Sequence, residues 1–408
     1  MERGGWGWRL SYDDSCGRKE ERAMIAITGG RLLTASGPEV AEGVVLINGG
    51  KIVAVGRDLR PPDGADVIDA RGSVITPGLI DAHTHLGLDE QGVGVAGDDT
   101  NEAVEPIQPH LRALDGINLE DIAFDDARKA GVTASEVKPG SGNVIGGQCV
   151  VIKHAGLIID RVVLRAPSAI KAAMGENPKN TYRNQKKSPS TRMATAALFR
   201  DIFIKAQAYL ERRRAELEAG RPFERDLKLE AIGLVLERQI PMRIHAHRAD
   251  DIMTALRLRD EFGFEMSIDH CTEGHKVAEE LARRGVHAIV GPSMSGRYKV
   301  ELREKTFETP AVLAAAGVKV AITTDHPVVP IHQLMTAAIL AVKNGLSTDL
   351  ALKAVTLHPA EMLGVAERIG SLDAGKDADL VIWSGDPFDL RSRVTLTMID
   401  GQVVYREG

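Results

Sequence analysis

Val74-Ile75-Thr76-Pro77-Gly78-Leu79-Ile80-Asp81 runs directly into Ala82-His83-Thr84-His85-Leu86-Gly87, and the chain changes character here. Before it, short β-rich runs at 26–33, 43–47, 51–55 and 66–69 stand between Gly, Pro and Asp turns, the signature of a small antiparallel sheet. Asn48-Gly49-Gly50 between two of these runs offers the positive-φ positions a tight hairpin needs. After it, apolar strands alternate with amphipathic helices, as in βαβ units around a parallel sheet. Strands at 242–245, 266–270, 288–291 and 319–324 alternate with helices at 251–259, 276–284 and 310–316. Gly285 and Gly317 fall where a helix ends in the left-handed region. Such alternation over roughly 280 residues fits a (β/α)8 TIM barrel better than a doubly wound sheet. No GxGxxG dinucleotide motif follows the first strand.

Residues 378–383 and 394–405 return to short strands. The expected architecture is therefore a small β-sandwich from residues 24–76 and 362–408, with the barrel at 77–361 between them. Residues 1–23 are rich in Gly and charge and lack periodicity. They read as a disordered extension, or as sequence upstream of a start at Met24. Residues 196–238 are expected to be helical throughout, with Leu198, Ile202, Ala206 and Tyr209 at helical spacing. The charged run 211–214 reads as a solvated helix face.

Composition narrows the function. The 408 residues are 43% hydrophobic and 26% charged, with a net charge of −6, an ordinary globular balance. Mixed charge argues against nucleic acid or an anionic membrane as the main partner. No apolar run approaches the ~18 residues of a spanning helix, and the first residues lack a signal-type apolar core. Cys16, Cys149 and Cys271 are too widely spaced for a CxxC site or a disulfide framework, which makes a cytoplasmic setting the default. A homo-oligomer is left open, dimers being common.

The chemistry sits at strand ends. In a strand, residues i and i+2 face the same way, so His83 and His85 aim two imidazoles at one point. His245, His270 and Asp325 each close a later strand. A lone strand-end His is often structural, and a strand-end Asp is often a helix cap. Four histidines and an acid on one barrel mouth, where active sites gather, instead form a metal-ligand constellation.

This order of motifs resembles the amidohydrolase superfamily. So does the tail Gly370-Ser371-Leu372-Asp373-Ala374-Gly375-Lys376-Asp377-Ala378-Asp379-Leu380-Val381. The resemblance covers nearly everything from Met24 to Tyr405 and is strongest with an imidazolonepropionase-related subgroup of largely unassigned substrate. It is carried by 139–147, by Gly175-Glu176-Asn177-Pro178-Lys179, and by Ile244-His245-Ala246-His247-Arg248. It implies that His83 and His85 bind the more buried of one or two divalent ions. Zn2+ is the leading choice, with Mn2+ or Fe2+ as alternatives. It further implies that His245 and His270 bind a second ion or contact substrate, and that Asp325 binds metal and carries the proton. Glu176 is the preferred bridging ligand, and a carbamylated Lys171 is the alternative.

One departure matters. Cytosine-deaminase-like members and imidazolonepropionases read His-x-Asp-Glu after the fifth strand, whereas this chain reads His245-Ala246-His247-Arg248. His247, Arg248 and His110 are candidate substrate contacts. Arg183, Arg192 and Arg248 could also meet a substrate carboxylate, although solvent or helix pairing explains any one of them, and Arg112 lies with His110 in the long acidic loop after the first strand, where substrate contacts arise. His154, His287, His332 and His358 read as structural. The Gly140–Gly147 loop lacks a Walker lysine and is a poor phosphate loop. The expected activity is hydrolysis of an amide, cyclic amide or peptide-like C–N bond of a small molecule. Asp325 would be the general base and acid, and His270 would steady the oxyanion. A mononuclear deaminase of an aminated heterocycle and a non-catalytic scaffold remain the alternatives.

Overall fold

The computed structural model describes residues 24–408. The extension expected over 1–23, with Cys16, lies outside the described residues. In chain order, the first strands are Ile25–Leu32 (β1), Val40–Asn48 (β2), Lys51–Gly56 (β3), Asp66–Asp69 (β4) and Val74–Pro77 (β5). Next come Leu79–Thr84 (β6), Val132–Val137 (β7), Ile145–Gln148 (β8), Val150–Lys153 (β9) and Val163–Arg165 (β10). Ile170–Ala173 (β11), Met242–Ala246 (β12), Met266–His270 (β13), His287–Val290 (β14) and Val320–Ile322 (β15) follow. Leu380–Trp383 (β16), Val394–Ile399 (β17) and Gln402–Arg406 (β18) end the chain.

The two chain ends meet in one sheet. β1–β5 and β16–β18 are hydrogen-bonded as a single eight-stranded mixed sheet. Its seam is β5 against β16, with Pro77 opposite Leu380 and Val74 opposite Trp383. The β2–β3 hairpin turns on Gly49 and Gly50, both at positive φ, as a two-residue loop of that twist requires. Alternation along β2 sends Val45 and Ile47 to one apolar cluster and Val44 and Leu46 to another. The first cluster also takes Leu380, Ile382, Leu396 and Met398, so buried hydrocarbon from both ends fastens the seam.

The remaining strands make a TIM-barrel-type arrangement. β6 pairs β7 in parallel, and β11 through β15 pair successively in parallel. The third position differs from a regular (β/α)8 unit. Residues 145–153 run antiparallel to both neighbours, as β9 against β7 and β8 against β11. Hydrogen bonding therefore yields a four-stranded and a six-stranded sheet, joined through Cys149, whose N–H donates to Ala169 O at 2.9 Å. On the far side, an isolated parallel bridge links Thr84 to His326. Gly146 and Gly147 blur strand character in the sequence, so this stave read as loop.

A second difference lies at 196–238, which holds two helices, Arg192–Glu218 and Leu227–Leu236. Gly220 takes φ +65 and Pro222 follows, so the helix stops. Asp226 then caps the next helix, accepting from the N–H groups of Lys228 and Leu229. The first of these helices buries Phe199 and Phe203 against Phe264 and the outer faces of β11–β13. No helix among the described residues is long and apolar enough to cross a membrane.

Candidate active site

The parallel strands deliver His83, Lys171, His245, His270 and Asp325 to one end of the barrel. Local backbone strain aims two of them. His270 (φ 69), with Cys271 (φ 48) beside it, and Asp325 (φ 55) occupy the left-handed region, which non-glycine residues avoid unless the surroundings enforce it. Asp81 does the enforcing on the first-strand side. Its fully buried carboxylate accepts from the His83 N–H at 3.1 Å, the Thr324 N–H at 3.0 Å and the Thr324 hydroxyl at 2.6 Å. The Thr323 hydroxyl, another Asp81 partner, also donates to His83 O at 2.7 Å. The first strand and the segment carrying Asp325 are thereby locked together.

Two ligand clusters result. In the first, His83, His85 and Asp325 bring one donor atom each to within 4.8 Å of one another. Asp325 Oδ1 lies 3.2 Å from His83 Nε2 and 3.5 Å from His85 Nε2. In the second, His245, His247 and His270 do the same. The clusters abut, with the His83 and His270 rings 4.7 Å apart. Side-chain tautomers are fixed from behind: Lys138 O accepts from His85 Nδ1 at 2.8 Å, and Gly291 O accepts from His270 Nδ1 at 2.8 Å. Nε2 of each ring is then left with a lone pair directed inward.

The donor set suits a divalent cation. His270 Nε2 and both ring nitrogens of His245 are buried with no hydrogen-bond partner, a costly state for polar atoms unless a ligand completes them. Burial depresses the pKa of His83, His245 and His247, and takes His270 to about 3. These imidazoles are neutral, as metal ligands must be. Burial opposes ionisation of Asp325, but His270 and the bonds to His83 and His85 hold its carboxyl well below the usual range.

Beneath the clusters lies an ionic layer that the sequence reading missed. Asp269 Oδ2 is 2.9 Å from His83 Nδ1, off the line of a hydrogen bond. It is also 3.2 Å from Lys138 Nζ and 3.1 Å from Lys171 Nζ. Lys138 also meets Glu136 at 2.9 Å, and Arg243 meets the same Glu136 oxygen at 3.0 Å. The available signal was charge inside apolar strands, at Asp81, Arg243 and Asp269.

The bridging candidates separate. Lys171 Nζ is fully buried, 3.4 Å from His83 Nε2. Burial, reinforced by Lys138, lowers its pKa despite Asp269. Glu176 brings no donor atom to either cluster. It opens the helix Glu176–Asn184, and its N–H donates to Glu301 Oε2 at 3.0 Å.

The substrate candidates also divide. His247 enters the second cluster. His110 lies apart from both, with Lys228, Asp226 and Glu105 as its charged neighbours. Arg248 is engaged by Asp250 through two bonds, Arg192 by Asp251 and Arg112 by Asp115. Gly140 and Gly142 serve packing, because a Cβ at either would collide with the Asn101 side chain at 2.3 or 2.8 Å. Cys149 and Cys271 are both buried free thiols.

Comparison with known proteins gives the family of the chain. Residues 121–405 match the Amidohydrolase family. The amidohydrolase tasK of Hapsidospora irregularis is 32% identical over 89% of this chain, which spans only 40% of that longer protein. The imidazolonepropionase of Acidiphilium cryptum is 30% identical over 86% of this chain and 89% of its own length. Among solved structures, an amidohydrolase from Thermotoga maritima MSB8 superposes with a TM-score of 0.92 at 43% identity, covering 94% of this chain and all of that one.

Proposed function

The chain belongs to the amidohydrolase family and is a hydrolytic enzyme acting on C–N bonds, and from that premise we propose that it cleaves an amide, cyclic amide or peptide-like bond of a small molecule with Asp325 as the proton carrier. The observation that carries this reading is the pair of abutting buried clusters, His83/His85/Asp325 and His245/His247/His270. These residues would hold a divalent ion, Zn2+ by preference for nitrogen-rich ligands, which would supply Lewis-acid chemistry toward the carbonyl and the attacking water.

The chain's own groups do the rest. Asp325, ionised and 3.2 Å from His83 Nε2, accepts the proton from the attacking water and returns it to the leaving nitrogen. His270, its Nδ1–H donated to Gly291 O, turns an Nε2 lone pair inward and serves as an ion ligand, not as a donor to the oxygen that gains charge. Lys171 rather than Glu176 is the bridging residue of this proposal, because only Lys171 reaches the clusters. Burial lowers the pKa of its amine, and the deprotonated amine would add CO2 and release one proton, giving a carbamate anion. The small sheet from both chain ends is read as a β-sandwich that supports the barrel at 77–361, since its strands come from 25–77 and 380–406.

Asp325→Asn tests the assignment. Against a panel of amides, lactams and N-acyl amino acids, hydrolysis should fall by about 10^2–10^4-fold, with ion content measured on the same samples. Unchanged hydrolysis with the ions retained removes Asp325 from this role. Ammonia release from aminated heterocycles without amide cleavage makes the enzyme a deaminase instead.

A further inference from the structure

Glu301 was not singled out by any sequence motif. It sits in the loop after β14, within the 3-10 turn Val300–Leu302, yet its side chain is only 1% exposed. Its two oxygens have different surroundings. Oε2 accepts the Glu176 N–H at 3.0 Å, and it fits there because residue 175 is glycine: a Cβ at Gly175 would stand 2.9 Å from that oxygen. Oε1 is buried and makes no well-directed hydrogen bond, its one cationic neighbour being the Lys299 ammonium. It points at the second cluster, 3.6 Å from His247 Nε2 and 3.8 Å from His245 Nε2.

His247 is prepared in the same way. Its Nδ1 is held 2.7 Å from the Thr272 hydroxyl, which leaves Nε2 to face Glu301. Its ring centroid lies 4.6 Å from that of His245 and 4.8 Å from that of His270. In a tetrahedral zinc-class site with bonds near 2.0–2.2 Å, neighbouring ligand atoms stand about 3.3 Å apart. The two Glu301 separations need to close by only a few tenths of an ångström, and the donor atoms of His245, His247 and His270 lie within 4.8 Å of one another. A cation already visits the carboxylate: the Lys299 ammonium lies 2.8 Å from Glu301 Oε1 and 3.1 Å from Asn177 Oδ1. Lys299 is partly exposed and held by nothing else in the hydrogen-bond network among the described residues, so it can leave.

We propose that His247 and Glu301 are metal ligands, completing with His245 and His270 a three-histidine, one-carboxylate site for a zinc-class divalent ion, from which Lys299 is displaced on binding. The two clusters then differ in kind. Four side chains besides the Lys171 carbamate of the reading above then surround the second ion, whereas His83, His85 and Asp325 leave the first ion room for water and substrate. Closed sites hold structure and open ones bind water and substrate. This inference rests on the metal-dependent reading above and gives the second ion a firm seat.

The test uses the full chain stripped with chelator and titrated with Co2+, read by visible absorption and by metal content. The wild type should take up two equivalents, one giving the intense bands of a tetrahedral nitrogen-rich site. Glu301→Gln and His247→Asn should each weaken that equivalent by more than ten-fold and diminish its bands, while the other ion is retained. Lys299→Met should tighten it, an effect a merely structural role for the loop would not produce. Thermal unfolding of the stripped variants verifies that they fold. Two equivalents with unchanged bands in both Glu301→Gln and His247→Asn overturn the inference and leave the metal-dependent reading standing. No uptake by the wild type overturns both.

Discussion

Lys138 and Lys171 reach the same oxygen of Asp269, at 3.2 and 3.1 Å, yet the barrel treats them oppositely. Burial opposes the charge on both. For Lys138, Asp269 and Glu136 overcome it and raise the pKa; for Lys171, burial and the Lys138 charge win and lower it. Replacing each by Met therefore separates a structural cation from a functional amine. Lys138→Met removes a charge from between two buried carboxylates, and breaking such a pair costs roughly 3–5 kcal/mol. Lys171→Met replaces a buried amine whose pKa is lowered with an apolar side chain of similar length, while Asp269 keeps Lys138. Its effect on the metal-free fold should stay within about 1 kcal/mol. The assay is urea unfolding of chelator-treated protein, comparing midpoints at a common slope. In parallel, Lys171→Met should lose hydrolysis and weaken metal uptake by more than ten-fold. If Lys171→Met destabilises the stripped protein as much as Lys138→Met, Lys171 is a charged partner of Asp269, and the free-amine route to a bridging carbamate is wrong.

Removing metal should abolish hydrolysis and lower stability by about 2.7 kcal/mol relative to protein holding an ion at a hundred times its dissociation constant, and adding Zn2+ or Mn2+ back should restore both; activity surviving exhaustive chelation contradicts the proposed chemistry. Stability should also fall in acid through His154, whose buried ring bonds to Val132 O and Ser135 Oγ at 2.9 Å each and whose pKa drops from 6.5 to about 3. The unfolded chain takes up that proton below 6.5 while the folded chain resists it until about pH 3, so this share of stability is present above 6.5 and is lost progressively towards pH 3, by up to about 5 kcal/mol. His154→Gln should flatten the melting temperature between pH 6.5 and 4 relative to the wild type, and parallel profiles would exclude His154 as the source.

Sequence patterns exposed what repeats locally. β6, β12 and β13 were legible because apolar runs end abruptly in His83, His245 and His270, and the Asn48–Lys51 hairpin because two glycines serve its turn. The antiparallel stave at 145–153 was not legible. Its register depends on β7 and β11, which are distant in sequence, and Gly146 and Gly147 imitate a loop. Glu176 looked like a ligand because it follows a strand end, but one residue of helix initiation turns its role to the backbone: its N–H serves Glu301, and its carboxylate stays out of both clusters. Lys171 ranked behind Glu176 because burial has no one-dimensional signature. Glu301 was invisible for the same reason, lying in a polar stretch, Tyr298-Lys299-Val300-Glu301-Leu302, that reads as surface.

The ionic layer under the clusters explains why a barrel would carry charge where its core usually stacks branched hydrocarbons. Glu136 receives Arg243 at 3.0 Å, Lys138 at 2.9 Å and the Ser168 hydroxyl at 2.7 Å, and Arg243 also donates to Met362 O at 2.6 Å. An apolar layer of equal volume would be at least as stable, so stability is not what the arrangement supplies. It supplies direction. Asp269 cannot move without breaking contact with two lysines, and it stands against His83 Nδ1 at 2.9 Å; Asp81 fixes the backbone of the same histidine from the other side. A ligand held from both sides keeps its geometry whether or not an ion is bound. On this argument the charged layer sets the position of His83 and Lys171, and changes within it that leave no buried charge unpaired should alter metal affinity before they alter the fold around it.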